Sequence, residues 1–169
     1  QGVLLGWPGA DGLLCDIGGS SMELAVIADG KVGKRMTAPL GPLRLEGIKG
    51  GKKGRKAEID RNLDRLVDVV GTGHKRLFLV GGSWRAIARL DMERREYPLR
   101  VLHEYRMKQA ELRASLNWID SLSPEEMFDL TDTSMERLTL VPMAAKVLRV
   151  LVEVFSPSEI SISSFGIRE

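Results

Sequence analysis

The run Leu13-Leu14-Cys15-Asp16-Ile17-Gly18-Gly19-Ser20-Ser21-Met22-Glu23-Leu24 limits the fold more than any other stretch of the chain. An apolar strand ends near an aspartate, the backbone turns through two glycines and two serines, and a second strand carrying one glutamate follows. Residues 22–27 read as that second strand, Ala28-Asp29-Gly30-Lys31 is a two-residue hairpin signal, and residues 32–36 form the returning strand. A chain that begins this way builds its core around a sheet.

The turn itself has the chemistry of an anion site. Glycines let backbone N–H groups approach an anion that side chains would otherwise shield, and hydroxyls add donors. Asp16 at the strand end and Glu23 beyond the turn are the pair that would hold a divalent cation, Mg²⁺, against phosphate oxygens. A Walker loop needs Gly-x-x-x-x-Gly-Lys-Ser/Thr before a helix, and a dinucleotide fingerprint also needs a helix after its glycines; neither pattern occurs here. An ordinary glycine turn between strands would use Gly-Gly too. The flanking Asp16, the paired serines and Glu23 favour the phosphate reading. Strand, Asp-x-Gly-Gly turn and hairpin resemble the phosphate grip of actin-like and sugar-kinase-like phosphotransferases.

A second glycine turn lies downstream. Residues 77–80 are an apolar strand, and Gly81-Gly82-Ser83 opens a helix expected over residues 84–92 with Ser83 as its N-cap. Free N–H groups of that first turn would favour an anion above Gly81. If the two strands lie side by side and parallel, both turns face one cleft, and a ligand with several phosphates spans them.

At 169 residues, 43% hydrophobic and 28% charged, the chain is expected to form a single domain over residues 1–169. A net charge of +2 gives no reason to expect nucleic-acid binding. One cysteine excludes an internal disulfide and fits a reducing, cytoplasmic compartment; Cys15 reads as strand filler rather than a nucleophile. No apolar run approaches about 18 residues and no basic-then-apolar leader is present, so no membrane segment is expected. The start at Gln1 and the stop just after a strand-like segment suggest a piece of a longer polypeptide.

The remaining elements alternate. Residues 46–56, with Lys49, Lys52, Lys53, Arg55 and Lys56 among glycines, are expected as a loop able to steer a polyanion. An amphipathic helix follows over residues 58–71, with Ile59, Leu63, Leu66 and Val70 on one face. Further helices are expected over residues 108–122 and 124–130, and from Ser134 to residue 155. Pro142 imposes a kink or a later start on the last of these. A strand over residues 159–164 closes the chain. The order predicts an α/β fold, a mixed sheet with flanking helices.

With both turns identified, the chain resembles the second half of the catalytic module of the exopolyphosphatase/guanosine-pentaphosphate phosphatase family. Four segments carry the resemblance: residues 16–24; Pro39-Leu40-Gly41-Pro42-Leu43-Arg44-Leu45; Gly81-Gly82-Ser83-Trp84-Arg85-Ala86-Ile87-Ala88; and Ser163-Ser164-Phe165-Gly166-Ile167-Arg168-Glu169. The resemblance implies a ribonuclease-H-like lobe of the actin-like ATPase superfamily and a Mg²⁺-dependent phosphohydrolase. The family removes terminal phosphate from polyphosphate or guanosine pentaphosphate. By motif match, Asp16 and Glu23 would attend the metal and the attacking water. Gly18, Gly19, Ser20 and Ser21 would donate to the phosphoryl group, and Gly81, Gly82 and Ser83 would hold the next part of the chain. The family closes its cleft with a preceding N-terminal lobe, so this chain would carry half of the site; a homodimer of the parent stays open.

The chain departs from the family at Ser20 (a third glycine), Met22 (a threonine) and Arg137-Leu138-Thr139 (Arg-Ala-Asp), and position 137 is given no role. Arg44 and Arg85 are the arginines expected at phosphate, while His103 reads as a surface or interface residue. Two other readings stand beside the enzyme: a module that binds polyphosphate or guanosine tetra- or pentaphosphate without turnover, and another actin-like phosphotransferase such as a sugar kinase.

Overall fold

A computed structural model describes residues 9–163. Strands β1 (Gly12–Ile17), β2 (Met22–Ala28) and β3 (Lys31–Ala38) form an antiparallel meander. The β2–β3 connection is the expected Asp-Gly hairpin: Asp29 and Gly30 sit at φ 51° and 68°, both positive as a two-residue turn of this twist requires. Helices α1 (Pro42–Glu46) and α2 (Gly51–Val70) lead to β4 (Arg76–Val80), and α3 (Gly82–Arg94) to the short β5 (Arg106–Lys108). Helices α4 (Gln109–Ile119), α5 (Pro124–Leu130), α6 (Met135–Leu138) and α7 (Val141–Phe155) precede the last strand, β6 (Glu159–Ser163).

The sheet order is β3-β2-β1-β4-β6-β5. The central strands β1, β4 and β6 are parallel, while β2, β3 and β5 run against their neighbours. The two edges are blunted differently. β3 is an exposed strand bearing Lys31, Lys34 and Arg35, and β5 has only three residues.

Alternation along the strands sorts the side chains. Leu13, Cys15, Ile17, Met22 and Leu24 join the main core with Ile59, Leu63 and Leu66 of α2, Trp84 and Ile87 of α3, and Leu148 and Leu151 of α7. Leu14, Ala25, Ile27, Phe78 and Val80 form a smaller cluster on the opposite face with Ala10. Asp16 and Glu23 alternate onto that second face. Within the main layer Asp91 of α3 is fully buried. It accepts from Tyr105 Oη at 2.5 Å and from Ser115, with the Arg95 and Arg94 guanidiniums at 3.4 and 3.8 Å. The carboxylate thereby ties α3 to α4 and to the approach to β5.

Four local expectations change. The basic stretch is not a loop over residues 46–56: α2 begins at Gly51, after Gly50 at φ 91°, and Gly54 N–H closes on the Gly50 carbonyl at 3.1 Å. Lysine and arginine are good helix formers, and an apolar face already committed from Ile59 onward propagates the helix backward through two glycines. Ser83 is not the N-cap of α3. Gly81 is, and Ser83 is the second helical residue, with no side-chain cap bond. The helix expected from Ser134 is two, α6 and α7, with Pro142 in the first turn of the second, where its missing N–H costs nothing. Finally, the helix expected over 108–122 is shorter and is preceded by β5, too brief a strand to leave a periodic signal. Among the described residues no helix is long and apolar enough to cross a membrane.

Candidate functional site

β1 and β4 are adjacent and parallel, with Asp16 beside Val80 in the ladder. Both glycine turns therefore leave the same, carboxyl end of the sheet. In the β1–β2 hairpin Asp16 stands directly opposite Glu23, so the two carboxylates rise from neighbouring strands on one face. Thr37, opposite Glu23 on β3, places its hydroxyl 3.5 Å from Glu23 Oε2 and extends the row. A pair of carboxylates on rigid strands suits Mg²⁺, which keeps several waters and takes one or two protein carboxylates plus substrate oxygens. Among the described residues no cluster of three or more His, Cys, Asp or Glu is arranged for a metal. Asp16 and Glu23, opposed on neighbouring strands, are two carboxylates, the number such an ion takes from a protein.

The first turn is tight. Gly18 N–H donates to the Ser21 carbonyl at 2.9 Å, so the bend is made by Gly19 and Ser20. Gly18's own N–H is thus consumed within the turn, Ser20 is exposed at its tip and Ser21 is half-buried. The segment Pro39-Leu40-Gly41 braces the turn from behind. Leu43 N–H donates to the Gly19 carbonyl at 2.9 Å, and a Cβ on Gly41 would overlap the Gly19–Ser21 backbone. Glycine at 41 is required by this backbone-to-backbone approach.

The second turn needs glycine for a different reason. Gly81 adopts φ 120°, a region closed to side chains, and an added Cβ would lie 2.6 Å from the Ile17 carbonyl and 3.3 Å from Asp16 Oδ1. Gly81 thus touches the acid side of the turn. Gly82 borders the other side, a cleft of about 280 Å³ lined by Gly18, Gly19, Gly82, Ser83, Glu136 and Arg137. An added Cβ on Gly82 would meet the Arg137 guanidinium at 2.7 Å. Asp16 and Glu23 do not line this cleft, whereas Ile17, next to Asp16 on β1, does.

Arg137 is the residue that sequence reasoning passed over. It lies on the four-residue α6, and the break before Pro142 lets α6 swing its arginine onto the N-terminus of α3. The one available signal was the arginine of the family motif, obscured by the changes at 138 and 139. Arg85 borders a second groove beside Gly82, whereas Arg44, exposed on α1, lines none of the described grooves. His103 is half-buried and precedes Glu104, whose N–H donates to the Ile162 carbonyl at 3.1 Å near the carboxyl end of β6. Cys15 is fully buried; burial first, then the charge of Asp16, pushes its thiol far above the ordinary range, which suits a packing residue. The motif residues 164–169 lie outside the described residues.

Solved structures share this fold. An exopolyphosphatase from Cytophaga hutchinsonii superposes with a TM-score of 0.79 at 15% identity, over 98% of this chain and 57% of that one. The type II variant of the Aquifex aeolicus Ppx/GppA phosphatase gives 0.76 at 17% identity, over 99% and 58%. An exopolyphosphatase-like protein gives 0.78 at 20% identity, over 94% and 56%. The chain thus spans less than three fifths of the length of these structures, and its mixed sheet with flanking helices is of the actin-like ATPase type. No curated protein sequence matches it. The Ppx/GppA phosphatase family model, in contrast, matches residues 1–169 throughout, and the chain belongs to that family.

Proposed function

We propose that the chain is the second lobe of a Mg²⁺-dependent phosphohydrolase that releases terminal phosphate from polyphosphate or guanosine pentaphosphate. One observation carries the reading: the parallel β1–β4 pair brings two glycine turns to one end of the sheet, beside the opposed Asp16 and Glu23. Ser20, Ser21 and the exposed backbone of the first turn then meet the terminal phosphoryl group. Gly82 and Ser83 at the N-terminus of α3, with Arg137, hold the following phosphate. Asp16 and Glu23 orient the attacking water and accept its proton as the phosphoanhydride bond breaks, giving orthophosphate and a shortened chain. Bound Mg²⁺ would neutralise the phosphate oxygens during this displacement. The missing share of the relatives' length supports a further lobe closing the cleft, with the site incomplete without it.

A second reading, binding without turnover, draws support from the first turn: Gly18 N–H is spent internally, and Ser20 carries a side chain at the tip. Phosphate release by the full-length protein with polyphosphate and Mg²⁺ separates the two. The Asp16→Asn variant should lose at least about 10²-fold in rate, the scale of removing one electrostatic contributor. Tight binding with no release by the parent protein would select the sensor instead.

A further inference from the structure

The face that carries Asp16 and Glu23 continues onto a third strand. Glu23 pairs with Asp16 across the β1–β2 ladder and with Thr37 across the β2–β3 ladder, so the three side chains stand in line. Thr37 Oγ1 donates to Glu23 Oε2 at 3.5 Å. Among the described residues the Glu23 carboxylate has no other hydrogen-bond or ion-pair partner. We propose that Thr37 is a positioning residue, which acts through Glu23 by aiming its carboxylate at the metal and the attacking water. The role rests on the phosphohydrolase reading for its reaction and goes beyond it in giving β3 a part in the site.

Thr37 suits that role in backbone and in charge. Its neighbours Met36 and Ala38 pack toward the main core, which fixes the face that residue 37 takes. The register irregularity between β2 and β3 lies between Ala25 and Ile27, beyond the Glu23–Thr37 pair. β3 then runs into Pro39-Leu40-Gly41, the segment that braces the first glycine turn, so the hydroxyl is carried by the same stretch of backbone as that brace. A β-branched side chain on a strand has few χ1 choices, whereas a half-buried glutamate has three torsions to settle. The stiffer residue restrains the looser one. A hydroxyl has one hydrogen to give and carries no charge. Donation to Oε2 leaves Oε1 open, and the carboxylate keeps the negative charge that a lysine or arginine there would cancel.

Removing the hydroxyl while keeping the shape isolates this role. In the full-length protein Thr37→Val should lower kcat for phosphate release from polyphosphate by about tenfold with KM nearly unchanged, the scale of losing a hydrogen-bond partner behind a metal-binding carboxylate. Thr37→Ser, which keeps the donor, should recover most of that rate. Both variants should unfold at the parent's midpoint, because the position is exposed. Titration with Mn²⁺ alone, with the free ion read by electron paramagnetic resonance, should show affinity weakened by about tenfold in Thr37→Val and restored in Thr37→Ser. The parent's kcat and Mn²⁺ affinity retained in Thr37→Val, or a Thr37→Ser protein as impaired as Thr37→Val, would overturn the positioning role. A parent that releases no phosphate, yet loses Mn²⁺ affinity with Thr37→Val and regains it with Thr37→Ser, would keep that role and remove the hydrolase reading.

Discussion

Glycine plays three separate parts around the site, and they predict different penalties. At Gly81 the backbone conformation itself excludes a side chain, and Ile17 and Asp16 crowd the position. Gly81→Ala is expected to cost about 2–4 kcal/mol, combining left-handed strain with displaced backbone. In a molecule of this size that lowers the midpoint of thermal unfolding by about 5–10 °C, measurable by calorimetry. Gly41 is held by contact with the first turn rather than by its torsion, and Gly82 only by the movable end of Arg137. Alanine at 82 should therefore leave the unfolding midpoint nearly fixed while shifting the guanidinium.

At the level of elements, the Asp91 cluster joins α3, α4 and the approach to β5 through a carboxylate with no exposure to water. Burial, the hydrogen bond to Asp91 and its charge raise the Tyr105 hydroxyl well above the ordinary phenol range. The neutral phenol is thus favoured in the folded state. Its stabilising share is complete below the unfolded value of about 10 and is lost as pH rises through the higher folded value. Urea midpoints between neutral pH and about 11 should fall more steeply for the native protein than for Tyr105→Phe. At neutral pH that variant should be less stable by about 1–3 kcal/mol, because a buried carboxylate loses a donor.

Across the whole molecule, topology decides what the basic segment can do. α2 feeds β4 at the amino end of the parallel strands, and its twenty residues span about 30 Å. Its N-terminus, with Lys52, Lys53 and Arg55, therefore lies at the carboxyl end, where α1 docks on the first glycine turn. Of this cluster, Lys56 pairs with Asp60, and no other ion pair is made by it among the described residues. A Lys52→Glu, Lys53→Glu protein should keep its helix, since acids suit a helix N-terminus. Its association with polyphosphate, followed by stopped flow, should slow by about tenfold at low salt and match the parent at high salt. Equal rates at low salt would deny the segment a steering role.

The local pattern from residue 12 to residue 38 was legible because its signals act over short distances: alternation within strands, an Asp-Gly bend, and glycines where backbone must come close. The amphipathic stripe of α2 and the break at Pro142 were readable for the same reason. Strand order was not, and it alone makes neighbours of Asp16 and Gly81, which are far apart in sequence. Nor could residue spacing reveal that Arg137 reaches the start of α3, or that Arg94 and Arg95 are drawn to the buried Asp91. Those outcomes depend on which faces the packed layers bury, a property of the assembled sheet and helices that no stretch of chain carries by itself.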